Sequence, residues 1–131
     1  MSKDIAILLP YKEKYSEYQA GAASIWVKDY LKLSKLKSKT LVYGNLDKKY
    51  APITKNFKNI KLNNLFIKKN LQYTKKFYDY CVINKHKVIE IHNRPESLNF
   101  FFDKKKDNNF KLIFFFHNNP LELRGSKTIE Q

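Results

Sequence analysis

Apolar residues follow two rhythms along this chain. Ile5-Ala6-Ile7-Leu8-Leu9 is apolar without a break and is stopped by Pro10, the pattern of a strand buried on both faces of a parallel sheet. A polar, tyrosine-bearing loop from Tyr11 to Gln19 leads to Ala20-Gly21-Ala22-Ala23. Beyond it Ile25, Trp26, Asp29, Tyr30 and Leu33 fall at helical spacing. This predicts a helix from about Gly21 to Leu33, its first turn of small residues packed close to the sheet. Thr40-Leu41-Val42-Tyr43 before Gly44-Asn45 reads as a second strand, Asn59-Ile60-Lys61-Leu62 as a short third, and Asp47 to Asn56 as loop between them. Leu71, Thr74, Phe77, Tyr78 and Cys81 line one face of a second helix that ends near Asn84. Val88 to Ile91 is the fourth strand and Lys111 to Phe116 the fifth. Between them Pro95 opens a short helix, because its missing N–H would be unpaired at a first helical position anyway. Leu98, Phe101 and Phe102 are expected to face inward, and Asp103 to Asn109 to be a charged surface loop.

Strands alternating with helices, without an internal repeat, predict an α/β fold: a Rossmann-like open parallel sheet with right-handed crossovers and helices on both faces. Ligands of such sheets bind beyond the carboxyl ends of the strands. Here the fourth strand ends on His92-Asn93 and the fifth on His117-Asn118, so the same polar pair stands at that edge twice. Arg94 follows the first pair and suits a carboxylate or phosphate. His86, within Asn84-Lys85-His86-Lys87, reads as a surface turn residue, and Trp26 and the phenylalanines of the fifth strand read as core. With no Asp-x-Asp, no His or Cys cluster at ligand spacing and no Ser-His-Asp grouping, neither a metal site nor a hydrolase triad is expected.

Composition narrows the picture. At 131 residues and 43% hydrophobic, the chain can bury one domain-sized core, so residues 1–131 are read as a single domain. Ser126 can cap a helix beginning Lys127-Thr128-Ile129-Glu130, and a helix starting that late predicts that the sequence is the N-terminal part of something longer. The lone Cys81 has no disulfide partner, which points to a reducing, cytoplasmic compartment. Ile5 to Leu9 is too short for a signal-peptide core or a membrane span. The net charge of +14 attracts polyanions. Of the 26 basic residues only Arg94 and Arg124 are arginine, and the lysines come with abundant Asn, Ile, Phe and Tyr, as an A+T-rich coding sequence would give. Arginine is the better reader of bases and phosphates and no nucleic-acid motif is present, so nucleic acid is not the expected partner. Peripheral contact with an anionic membrane fits the lysines together with Tyr11, Tyr15, Tyr18 and Trp26.

Several of these segments together resemble the N-terminal half of GT-B glycosyltransferases of family 4. They are the opening strand with Pro10, the loop Ala20-Gly21-Ala22, the strand end Ile89-Glu90-Ile91-His92-Asn93-Arg94-Pro95, and Phe115-Phe116-His117-Asn118-Asn119-Pro120 through Leu123-Arg124-Gly125-Ser126-Lys127-Thr128. The resemblance spans nearly the whole chain, and its last segment is the most specific. It implies a two-lobed enzyme whose N-terminal lobe holds mainly the acceptor and whose C-terminal lobe, absent here, holds the nucleotide-sugar donor. The implied reaction is transfer of a sugar to a glycan or lipid-linked acceptor with retention at the anomeric carbon. It needs no metal and no cofactor beyond the donor, and it fits cell-surface polysaccharide or lipopolysaccharide synthesis at the inner face of the membrane. By the same resemblance His117 contacts the donor sugar or reacting groups, and His92, Asn93, Arg94 and Asn118 line the acceptor cleft. Ala20, Gly21 and Ala22 bring backbone N–H groups towards the donor diphosphate. Many such enzymes have paired glycines in that loop, whereas this chain has one. The fragment alone is expected to be inactive. The alternative is a basic α/β domain that binds nucleic acid or anionic membrane without catalysis.

Overall fold

In the computed structural model, which describes residues 3–63, 68–104 and 109–117, strands and helices alternate as the sequence predicts. The order is β1 (Ile5–Leu8), α1 (Ala22–Leu33), a 3-10 turn (Lys37–Lys39), β2 (Thr40–Gly44), β3 (Phe57–Asn59), α2 (Lys69–Ile83), β4 (Val88–His92), α3 (Pro95–Lys104) and β5 (Lys111–Phe115). The five strands form one all-parallel sheet in the order β3-β2-β1-β4-β5. The chain therefore winds outward from β1 through β2 to β3, then crosses back to the other side of β1 for β4 and β5. Right-handed crossovers taken in opposite directions put their helices on opposite faces. The cores agree. Ile5, Ile7, Leu9 and Val42 pack under α1 through Ala23, Val27 and Leu31. Ala6, Leu8, Tyr43, Ile89 and Ile91 pack on the other face against Tyr73, Phe77 and Cys81 of α2 and Leu98 and Phe101 of α3. The Thr74 and Ser97 hydroxyls share a 2.7 Å hydrogen bond that joins the two helices on that face.

Several local expectations are corrected. The buried face of α1 is Ala23, Ser24, Val27 and Leu31 rather than the larger residues, and Ile25 and Leu33 are exposed. Small side chains let the helix axis approach β1, and Trp26 and Tyr30 then lie along its flank. On α2 the first inward residue is Tyr73, fully buried, while Leu71 is exposed. Tyr73 wins that position because its hydroxyl donates to the Leu9 carbonyl at 2.6 Å and so is paired when buried. β3 is earlier than expected, at Phe57–Asn59, because Asn59 ends the ladder. Its side-chain amide accepts from the Leu46 N–H and donates to the Leu46 carbonyl, both at 2.9 Å, in place of further strand pairing. α3 continues to Lys104, into the stretch read as loop, and Phe102 on it is exposed rather than inward. His86 is no surface residue: it is 3% exposed, with Nε2 2.7 Å from the Tyr43 hydroxyl and Nδ1 on the Lys3 carbonyl. The helix read from Ser126 onward, with Asn119, Pro120 and Arg124, lies outside the described residues.

Candidate functional site

The strand order reverses between β1 and β4, and the loops leaving their carboxyl ends part there to open a crevice. Its volume is about 430 Å³, and Pro10, Lys12, Glu13, Gln19, Gly21, Asn93 and Arg94 line it. A larger hollow of about 740 Å³ lies at the opposite end of the sheet, beside Cys81, His86, Lys87 and Phe110. Its imidazole is already bonded on both nitrogens and its cations are exposed lysines, so the smaller crevice carries the convergent polar groups.

Asn93 builds the far wall. It has a left-handed backbone, φ 58°, a conformation that asparagine tolerates better than most residues. That turn lets its N–H donate to the Phe115 carbonyl at 3.0 Å, while its side-chain Oδ1 accepts the His117 N–H at 2.7 Å. One residue thus ties the end of β4 to the end of β5. The two strand-end histidines meet as a result: His92 Nδ1 lies 2.8 Å from His117 Nε2, with the rings within 10° of parallel. Trp26 of α1 and Phe115 of β5 close around the pair, Trp26 at 5.4 Å from the His92 ring and 5.9 Å from that of His117. Burial lowers the pKa of His92 to about 3, with a smaller push from His117, so this imidazole is neutral at physiological pH. His117 is half-buried; burial lowers it too, partly offset by the carboxylate of Glu13.

Arg94 accepts the N–H groups of Ser97 and Leu98 on its carbonyl and so begins α3, with Pro95 in the first turn. Its guanidinium stands 5.9 Å from the centre of the Tyr11 ring, and Tyr11 leans on Tyr73 at 6.1 Å. Arg94 Nε is buried without a hydrogen-bond partner. Tyr73 is held well above its ordinary pKa by burial and next by Glu13, while Arg94 pulls the other way.

The loop Ala20-Gly21-Ala22 stands at the start of α1 as expected, but the end of that helix is already engaged. Glu13 reaches across the turn that its own N–H makes with the Pro10 carbonyl. Its Oε1 accepts the Ala23 N–H at 3.2 Å and its Oε2 accepts the Ser24 hydroxyl at 3.0 Å. A carboxylate at the positive end of the helix dipole is favourable, and α1 has no side-chain cap from Gly21 and no acidic residue in its first turn. An incoming phosphate would seek the same two donors.

The structure thus gathers Gly21, Asn93 and Arg94 on one crevice and ties His117 to its wall through Asn93; His92 is fully buried against His117 and does not line the crevice, and Asn118 lies outside the described residues. Sequence reasoning missed Glu13 and took Trp26 for plain core. The available signal was a helix start with glycine at the cap and nothing acidic after it, which calls for an acceptor from elsewhere in the chain. Comparison with protein-family models, curated proteins and solved structures finds no match for this chain. The fold is an open, all-parallel, Rossmann-like α/β sheet with its crevice at the switch point.

Proposed function

We propose that this chain is the acceptor-side lobe of a metal-independent, retaining sugar-transferring enzyme. A glycan or lipid-linked acceptor lies in the crevice between Glu13 and Arg94, and a second lobe delivers the nucleotide-sugar donor to the rim at His117. The observation that supports this most is the convergence of an arginine, an asparagine and a carboxylate on one crevice at the switch point, with His117 tied to that wall through Asn93. Planar carboxylate, amide and guanidinium groups are suited to paired sugar hydroxyls, and a neutral His117 can take or give a hydrogen bond without placing a charge beside a polar, uncharged substrate. Because Glu13 occupies the start of α1, a donor diphosphate reaching Gly21 would have to displace that carboxylate; its main grip is assigned to the second lobe. Work at the inner face of an anionic membrane fits the lysine-rich surface. Among the described residues no helix is long and apolar enough to cross one.

The test is a transfer and hydrolysis assay on the complete reading frame with a panel of nucleotide sugars, with and without His117→Ala. Loss of roughly 10²-fold or more in turnover is expected, the scale of a positioned hydrogen-bonding group at a reacting centre. Equal rates in the two proteins would remove His117 from the reaction. Salt-sensitive binding of mixed oligonucleotides, indifferent to the same substitution, would favour the non-catalytic basic domain instead.

A further inference from the structure

Beneath the rim, the α1-facing side of β4 carries two polar side chains in succession, Glu90 and His92. Alternate residues on a strand share a face, their Cα atoms roughly 6.5 Å apart, and the neighbours on this face are apolar. Glu90 is 4% exposed and His92 0%. Each keeps a buried atom without a hydrogen-bond partner, Oε2 on Glu90 and Nε2 on His92. His92 spends its other nitrogen on His117, at 2.8 Å.

Two neutral imidazoles sharing one hydrogen bond hold a single proton between them, which allows two arrangements. In one, His117 donates from Nε2, so its Nδ1 carries a lone pair, and His92 holds its proton on Nε2. In the other, His92 donates from Nδ1, its Nε2 is bare, and His117 holds its proton on Nδ1. What stands beside His92 Nε2 selects between them. An ionised carboxylate can only accept and therefore favours the first; a protonated carboxyl donates and favours the second.

We propose that Glu90 is a positioning residue that sets, through His92, which nitrogen of His117 carries the proton. Glu90 acts on His92 Nε2 by a turn of its carboxyl, the two side chains sharing the α1-facing side of β4. His117 Nδ1 is therefore a hydrogen-bond acceptor when Glu90 is ionised and a donor when it is protonated. Burial raises the Glu90 pKa to about 7, which places the change near neutrality. The other titratable or charged groups around the pair are few. Glu13 faces His117 from the loop after β1, Tyr30 flanks Trp26 on α1, and Lys111 starts the same face of β5; β1 contributes only Ile5, Ile7 and Leu9. The position of this proton is a property of the empty protein and does not depend on whether the crevice binds a sugar.

Imidazole nitrogen NMR on the chain itself tests it, since the shifts of Nδ1 and Nε2 report the tautomer directly. The expected result is that the His117 tautomer ratio inverts as pH passes through about 7, with the midpoint of the Glu90 carboxyl carbon signal. In Glu90→Gln and Glu90→Leu that step is lost, while the protonation of His117 at lower pH remains. A wild-type His117 whose tautomer is constant across this range overturns the proposal, and so does a step that persists in either variant or that departs from the Glu90 midpoint. The wild-type comparison of midpoints needs no variant to fold.

Discussion

Glu13 and residue 21 compete for one space. A Cβ built on Gly21 would lie 3.0 Å from Glu13 Cδ and closer still to Oε1. Gly21 itself has an ordinary extended backbone, φ −90° and ψ −171°, so conformational freedom does not explain the glycine. It is there so that the carboxylate can reach the end of α1.

Gly21→Ala should therefore destabilise the fold by about 1–2 kcal/mol, the value of a good helix cap. Glu13→Ala should cost a similar amount. The double variant should cost clearly less than the sum, because the second substitution acts on a contact already lost. Urea unfolding of the four proteins checks this, and strict additivity would show that the two positions are independent.

Tyr43→Phe removes the partner of a buried imidazole nitrogen and should cost about 1–3 kcal/mol, the penalty for an unsatisfied buried polar group. The loss should shrink in a Tyr43→Phe, His86→Leu double variant, measured by thermal or urea unfolding. A single variant as stable as the wild type would contradict the 2.7 Å contact.

His92 and Glu90 pull stability in opposite directions with pH. His92 has a depressed pKa in the folded state, so its contribution is complete above the ordinary value of 6.5 and is lost as pH falls towards about 3. Glu90 has a raised one, so its contribution is complete below 4.5 and is lost as pH rises towards about 7. His92→Phe should flatten the acid limb of the stability profile. Glu90→Leu should gain on the wild type by a growing margin as pH rises from 4.5 to 7, reaching about 1–3 kcal/mol as an unpaired buried polar group is removed. Chemical unfolding at steps of pH measures both limbs, and parallel profiles for variant and wild type would refute the assignment.

Much of this architecture could be read from the chain because unbroken apolar runs such as Ile5–Leu8 and Val88–Ile91 have few other uses than buried parallel strands, and the helices between them fix the winding. The faces were harder. Periodicity assigned Leu71 and Phe102 inward, yet a hydroxyl partner for Tyr73 and close approach through Ala23 and Val27 decided the rotation of the helices. The strand ends marked Asn93 and Arg94, which line the crevice, whereas His92, marked in the same way, is fully buried. The bare glycine cap called for an acceptor but did not name Glu13, which acts eight residues ahead of the glycine it serves, across a loop whose path no local pattern encodes. His86 looked exposed among lysines because its partners, Tyr43 and the Lys3 carbonyl, are distant in sequence.

Arg94→Ala probes the crevice without touching the core contacts of β4. If, as proposed, its guanidinium holds an acidic or phosphorylated part of a sugar acceptor, the substitution should raise the KM for acceptor roughly 10-fold or more with kcat less affected, since such charge-assisted bonds are worth about 1.5–3 kcal/mol. A loss confined to kcat would move Arg94 from binding the acceptor to the reacting centre.

The proposed function places a sugar-bearing ligand in the crevice between β1 and β4. The most direct measurement is an NMR titration of the isotope-labelled chain with oligosaccharides and nucleotide sugars, following the backbone and imidazole signals together. Saturable shifts concentrated at Glu13, Gly21, Asn93, Arg94 and His117, and abolished by Arg94→Ala, are the predicted result. Shifts confined to the lysine-lined surface around Lys58, Lys61 and Lys76, or none at any concentration while oligonucleotides bind, would contradict it.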